Sequence, residues 1–108
     1  MPYNGVPPGT LVMLVLRVLQ SGPLHGYAIA QRIHALSTDE LQVEEGSLYP
    51  ALQRILVKGW AKARWGVSET NRRVRFYHLT PAGRAEVASQ MAEYERMSAA
   101  ILTVLRTA

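Results

Sequence analysis

The chain has 108 residues, 48% of them hydrophobic: enough apolar material for one folded domain, and too short for an enzyme fold of roughly 200 residues or more. It carries a net charge of +4 and no cysteine, which excludes disulfides, thiolate zinc sites and cysteine nucleophiles together. The longest unbroken apolar run, Leu11 to Leu16, falls far short of the ~20 residues of a membrane span, and the opening MPYNGVPPG lacks the basic start and apolar core of an export signal, so a cytoplasmic protein with no membrane partner is expected.

Pro7-Pro8-Gly9 reads as a turn and Thr10 as a helix N-cap. Leu11, Leu14, Val15, Val18 and Leu19 follow at helical spacing, and with Val12 and Leu16 they coat this helix, about 10–21, on most sides. Ser21-Gly22-Pro23 stops it. A second helix, about 25–36, opens at His25-Gly26, places Ile29 and Ile33 on one face and breaks at Ser37-Thr38-Asp39. Leu41 and Val43 suit a short extended piece. The third helix, about 45–58, has the apolar stripe Leu48, Leu52, Ile55 and Leu56, acids at its positive end (Glu44, Glu45) and Gly59 as its stop. Pro50 is expected in or near its first turn, because deeper it removes a hydrogen bond and clashes.

The period then changes to two. Strands at about 60–66 and 72–79, joined through Ser68-Glu69-Thr70-Asn71, read as a β-hairpin with a polar tip. Thr80 is the expected N-cap and Pro81 the first residue of a last helix that runs to about Arg106. Val87, Met91, Tyr94, Ser98, Ile101 and Leu105 alternate spacings of four and three along it, a seam suited to a partner helix and hence to a homodimer.

The charge is concentrated. From Arg54 to Arg84 eight basic residues face one acid, Glu69, a local net of +7, while both flanks are acidic. Such a block is the footprint of a polyanion binder. The fold class is therefore mainly α with a small β-hairpin: a winged helix-turn-helix over 1–80 with a long C-terminal dimerisation helix, 81–108, in the same compact unit. The third helix is expected in the major groove of double-stranded DNA. Opposite its apolar stripe the spacing places Ser47, Pro50, Ala51, Arg54 and Lys58, flanked by Tyr49 and Gln53. Ser and Gln hydrogen-bond base edges, Arg reads guanine or holds phosphate, and Ala51 permits close approach. Arg72, Arg73 and Arg75 of the wing are expected on phosphates. Tyr49 has two readings, a phosphate contact or a core-edge aromatic. Trp60 is read as a plug between helix and wing, Trp65 as packing and His25 as a helix-start residue. His25, His34 and His78 lack metal-ligand spacing, and neither a nucleophile motif nor a phosphate-cradling glycine loop is present, so no enzyme, metal or cofactor is expected. Two other classes fit less well: a winged-helix protein–protein module, against which the basic wing argues, and a small-molecule-sequestering dimer without operator specificity.

Leu24-His25-Gly26-Tyr27-Ala28-Ile29, Gly46-Ser47-Leu48-Tyr49-Pro50-Ala51-Leu52-Gln53-Arg54-Ile55 and Asn71 through Gly83 resemble, in order and spacing, the second helix, recognition helix and wing of the PadR family of bacterial transcriptional regulators, and of its short-chain, Acidobacteria-type members in particular. The resemblance covers about residues 9–106. It implies a homodimer clamped by the last helix with help from Leu11 and Val15 of the first, a repressor on a pseudo-palindromic operator, and release by a small planar effector near the dimer interface. It also implies DNA contacts for Ser47, Tyr49, Pro50 and the wing arginines, with Tyr27 near the backbone. Two departures stand out. Val12 occupies a place where many short members carry an acid, and the last helix has no Trp, which leaves Tyr94 and Met97 as the residues for an effector.

Overall fold

The computed structural model describes residues 5–108. Its elements are α1 (Pro8–Leu19), β1 (Leu24–His25), α2 (Gly26–Leu36), α3 (Glu45–Val57), β2 (Ala61–Val67), β3 (Arg73–Leu79) and α4 (Pro81–Thr107). The three strands form one antiparallel sheet in the order β1-β3-β2. The expected hairpin is there, and a strand is added that the hydrophobic pattern does not announce. Leu24 and His25 pair with Tyr77 and Phe76, so the start of α2 is stitched to the wing. A two-residue strand carries no period, which is why only the fold reveals it.

α1 begins two residues before the expected Thr10. Pro7 is the cap and Pro8 takes the first helical position, where a missing N–H costs nothing; Leu11 N–H closes the first turn on the Pro7 carbonyl at 2.9 Å. The helix is apolar nearly all round, and it is correspondingly buried nearly all round, packed against α2, α3, α4 and β3. This overturns one expectation. Leu11 and Val15, assigned to a dimer interface, are 1% and 0% exposed and lie inside the subunit's own core, as does Val87 of α4 at 0%. Val12, the departure from the family pattern, is buried with them. Each fully buried Leu, Ile or Val contributes about 1.5–3 kcal/mol, so α1 is the hub of the fold's stability. Ile29 and Ile33 of α2 and Leu48, Leu52 and Ile55 of α3 close over it, as their spacing predicts.

The turn between α2 and α3 sets the angle at which α3 is presented. It needs two left-handed residues in a row, Thr38 (φ 56°) and Asp39 (φ 63°), an uncommon backbone for a β-branched threonine. Side chains hold it in place. Ser37 Oγ accepts from Leu41 N–H at 2.9 Å, and the His34 ring bonds the Leu41 carbonyl at 3.0 Å.

At the far end, Thr80 caps α4 as expected. Its hydroxyl accepts from Gly83 N–H (3.1 Å) and donates to the Gly59 carbonyl (2.7 Å), which ties the end of α3 to the start of α4. Trp60 is half-buried at this junction rather than a full plug, and its main chain does the joining: Thr80 N–H donates to the Trp60 carbonyl at 3.0 Å. A Cβ on Gly83 would stand 2.0 Å from that carbonyl oxygen, so only glycine fits. α4 packs on α1 through its first turns, with Met91 half-buried, and then runs on beyond the core.

Candidate nucleic-acid interface

α3 is amphipathic, and its burial shows which side is open. Leu48, Ala51, Leu52 and Ile55 are buried; Gly46, Ser47, Tyr49, Pro50, Gln53, Arg54, Val57 and Lys58 are exposed. Ala51 is thus a correction. It belongs to the core and is not on the outermost line of the helix, because at 100° per residue it lies closer to Leu48 and Ile55 than to the open side. The same geometry puts Gly46, Pro50, Gln53 and Val57 on the outermost line, with Tyr49 on one flank and Ser47, Arg54 and Lys58 on the other. Val57, 75% exposed, is a residue that the apolar stripe does not single out. Its signal lies in the spacing, since Val57 stands seven residues after Pro50 and shares its face.

Pro50 is not in the first turn. It is the sixth residue of α3, inside the helix. Its missing N–H leaves the Gly46 carbonyl without an i→i−4 partner, and the exposure of Gly46 leaves that carbonyl to water. Together Gly46, Ser47, Pro50 and Arg54 form one wall of a 240 Å³ groove whose other wall is Pro8, Leu11 and Val12 at the start of α1.

The opposite flank faces the wing. Tyr49 of α3, Tyr27 in the first turn of α2, and Trp65, Arg75 and Tyr77 of the wing line a second groove of 240 Å³ with His25 and Gly26. In the β2–β3 register Trp65 pairs with Arg75 and Ala63 with Tyr77, so alternation puts Trp65, Arg73, Arg75 and Tyr77 on one face of the sheet. On that face the Arg73 guanidinium lies 4.6 Å from the Trp65 ring centre and that of Arg75 5.9 Å from Tyr77. Arg64 and Lys62 alternate onto the other face, where Phe76 packs over Gly66; a Cβ on Gly66 would come within 2.8 Å of that ring. Of the three wing arginines singled out in the sequence, Arg73 and Arg75 share the face turned to α3, while Arg72 lies in the turn before β3. The turn itself is closed by Ser68, whose N–H donates to the Arg72 carbonyl at 2.8 Å, and by Asn71 at φ 61°.

Two groups beneath this surface are electrostatically distinctive. His25 caps α2 with its ring: Nδ1 accepts from Ala28 N–H at 3.4 Å, which puts the neutral ring's proton on Nε2. Nε2 is buried without a hydrogen-bond partner, and the nearest acid, Glu69 of the wing turn, is 3.8 Å away. The Phe76 ring meets the imidazole edge-on at 5.7 Å. Burial pushes the Tyr77 phenol above its ordinary value; the charge of Arg75 opposes the shift and Tyr49 adds to it. Tyr77 therefore keeps its proton at neutral pH and adds no negative charge to this basic face.

Among the described residues no three His, Cys, Asp or Glu side chains gather as metal ligands, and no helix is long and apolar enough to cross a membrane. What the arrangement offers is an exposed helix of hydrogen-bonding side chains beside a wing on which two arginines lie over aromatic rings. Residues 15–89 match the transcriptional regulator PadR-like family. The chain belongs to that family. This PadR-like protein is accordingly a transcriptional regulator and not an enzyme, and its family implies DNA binding. The matched stretch contains α2, α3 and the whole wing, and leaves out α4 beyond Ser89.

The chain is 41% identical over 86 residues to an uncharacterised 37.1 kDa protein of a Streptomyces fradiae transposon, covering 80% of this chain but only 23% of that one. It is 30% identical over 87 residues to a Lysinibacillus sphaericus protein, covering 80% of this chain and 79% of the relative. A solved transcriptional regulator from Clostridium thermocellum superposes with a TM-score of 0.80 at 27% identity, over 88% of this chain and 92% of that one.

Proposed function

We propose that this PadR-like regulator is a cytoplasmic homodimeric repressor that reads a pseudo-palindromic operator, one half-site per subunit. The observation that carries the reading is a shared groove: Tyr49 on the wing-facing flank of α3, Tyr27 at the start of α2 and Arg75 of the wing all line it, beside the exposed side of α3. A helix and a hairpin joined in this way fit a major groove and its flanking backbone. Gln53 and Ser47 meet base edges, and Val57 and Pro50 supply apolar contact, which suits a thymine methyl. Arg54 and Lys58 serve guanine or phosphate. Tyr27, Tyr49, Arg72, Arg73 and Arg75 hold the backbone on either side.

The division of labour follows: residues 1–80 bind DNA and 81–108 dimerise, the first four residues lying outside the described ones. Support for the dimer comes from the far half of α4, where Tyr94, Met97, Ile101, Leu102, Val104 and Leu105 are all exposed. So long a run of uncovered apolar side chains on one helix is a partner surface. It contains Tyr94, Ile101 and Leu105 of the expected seam; Met91, half-buried, lies where the seam dives into the subunit. A small planar effector releases the regulator from DNA. Tyr94 lies between grooves of 420 and 310 Å³ that share Thr10 and Met13, and Met97 lines the larger, an apolar setting for a small planar molecule.

The test is selection from a random duplex pool at two salt concentrations, with sedimentation of the same preparation. A palindromic consensus with half-sites about 34 Å apart, bound by a species of twice the chain mass, is the expected result. Binding without consensus leaves an architectural role, and absence of binding at either salt moves the reading to a protein–protein module.

A further inference from the structure

Trp65 is exposed on the wing and has no place in the core. At 61% exposure it is not held there by burial. Its ring lies under the Arg73 guanidinium at 4.6 Å, the closer of the two such pairs among the described residues. Arg73 makes no ion pair and no side-chain hydrogen bond among those residues. This matters for what the guanidinium can still do. A carboxylate partner would occupy its N–H edge and cancel its charge. Stacking occupies only the flat face and leaves the in-plane donors and the full charge available.

We infer that Trp65 is a positioning residue: its indole holds the Arg73 guanidinium flat against the wing, edge outward, so that it meets a DNA phosphate already oriented. The inference rests on the DNA-binding reading above and assigns Trp65 a role that packing alone does not. A long arginine side chain loses rotamer freedom when a phosphate fixes it, and a guanidinium already stacked has lost part of that freedom beforehand. The strand register makes the arrangement repeat. Trp65 is directly opposite Arg75 and diagonal to Arg73, while Arg75 in turn lies over Tyr77, so two arginines on one face each have a ring beneath them. Arg72, in the turn, has no such ring among the described residues. Arg73 and Arg75 are thus the wing arginines with a ring beneath them.

The experiment titrates a short mixed-sequence duplex with the full chain over a series of salt concentrations. It compares the unaltered protein with Trp65→Ala, Trp65→Phe, Trp65→Leu, Arg73→Ala and the Trp65→Ala/Arg73→Ala double variant, each checked by its thermal melt. Loss of the stack should weaken binding about two- to fivefold for each Trp65 removed. Trp65→Leu, which keeps apolar bulk without a π face, should lose as much as Trp65→Ala, and Trp65→Phe should retain most of the affinity. Because Arg73 keeps its charge in these variants, the salt slope should stay near that of the unaltered protein, whereas Arg73→Ala flattens it. With Arg73 already gone, removing Trp65 should cost nothing more. Unaltered binding by Trp65→Leu, or losses that simply add in the double variant, would overturn the positioning role while leaving DNA binding intact. A protein that fails to bind the duplex before any substitution removes the DNA reading and this inference together.

Discussion

Gly83 shows how a single missing side chain can hold two elements together. The start of α4 lies so close to the end of α3 that the Trp60 carbonyl occupies the space of a Gly83 Cβ, 2.0 Å from where that atom would be. The obstacle is backbone, itself fixed by Thr80 N–H, and cannot rotate aside. Gly83→Ala should therefore destabilise by more than the gain in helix propensity of ~1 kcal/mol offsets, for a net loss of about 1–3 kcal/mol, read from a denaturant melt. Gly9, also in a helix but with nothing near its Cβ, is the control: Gly9→Ala should be neutral or stabilising. Tyr77 supplies a second residue-scale test. Its folded-state pKa is raised by burial, so the stability linked to it is complete below the unfolded value near 10 and is lost as pH climbs through the folded value. Stability should fall from about pH 10 upward, and in Tyr77→Phe that fall should be shallower. An identical alkaline profile in both proteins would show that Tyr77 titrates as it does in the unfolded chain.

Among the elements, α4 divides along one seam into a buried part and an exposed part. The spacing of four and three is unbroken from Val87 to Leu105, yet Val87 is sealed in the core and Leu105 is exposed. A seam tells that a stripe of helix wants covering but not by whom. α1 covers the first turns, and the remainder is exposed within the single subunit. If the exposed half seats the partner proposed above, Ile101→Asp should shift sedimentation toward the single-chain species at micromolar concentration while the melt of the core changes little. A dimer of undiminished tightness would place the interface elsewhere. α1 teaches the same lesson from the other side, since its apolar residues on all faces were open to a partner or to the subunit itself, and the subunit's own α2, α3 and α4 took them.

For the whole molecule, the basic block is the property that scales. Binding should weaken steeply with salt, with a log–log slope several units negative for a dimer whose subunits each meet several phosphates. Arg73→Ala should weaken binding to every sequence and flatten the slope by about one unit for each phosphate left without its arginine. Gln53→Ala should instead relax sequence preference at nearly constant slope. If the two variants are indistinguishable, α3 does not meet base edges through the face that Gln53 and Val57 share.

Local chemistry decided much of this protein before any long-range contact formed. The helix of residues 26–36, the capping of α4 by Thr80 and Pro81, the hairpin and the stripe Leu48, Leu52 and Ile55 all follow from periodicity and caps, which act over a few residues and are written in consecutive letters. So is the clustering of arginines in the wing. Tertiary structure alone decided the rest, because each remaining question compares places far apart in the chain. It joined Leu24 and His25 to the wing, sank Ala51, Leu11, Val15 and Val87 into one core, and carried Pro50 a turn deeper into α3 than its missing N–H would recommend, at an exposed site where water meets the freed carbonyl. It also put an indole read as packing beneath an arginine eight residues away, since cross-strand register, rather than spacing along the chain, determines which ring lies under which charge.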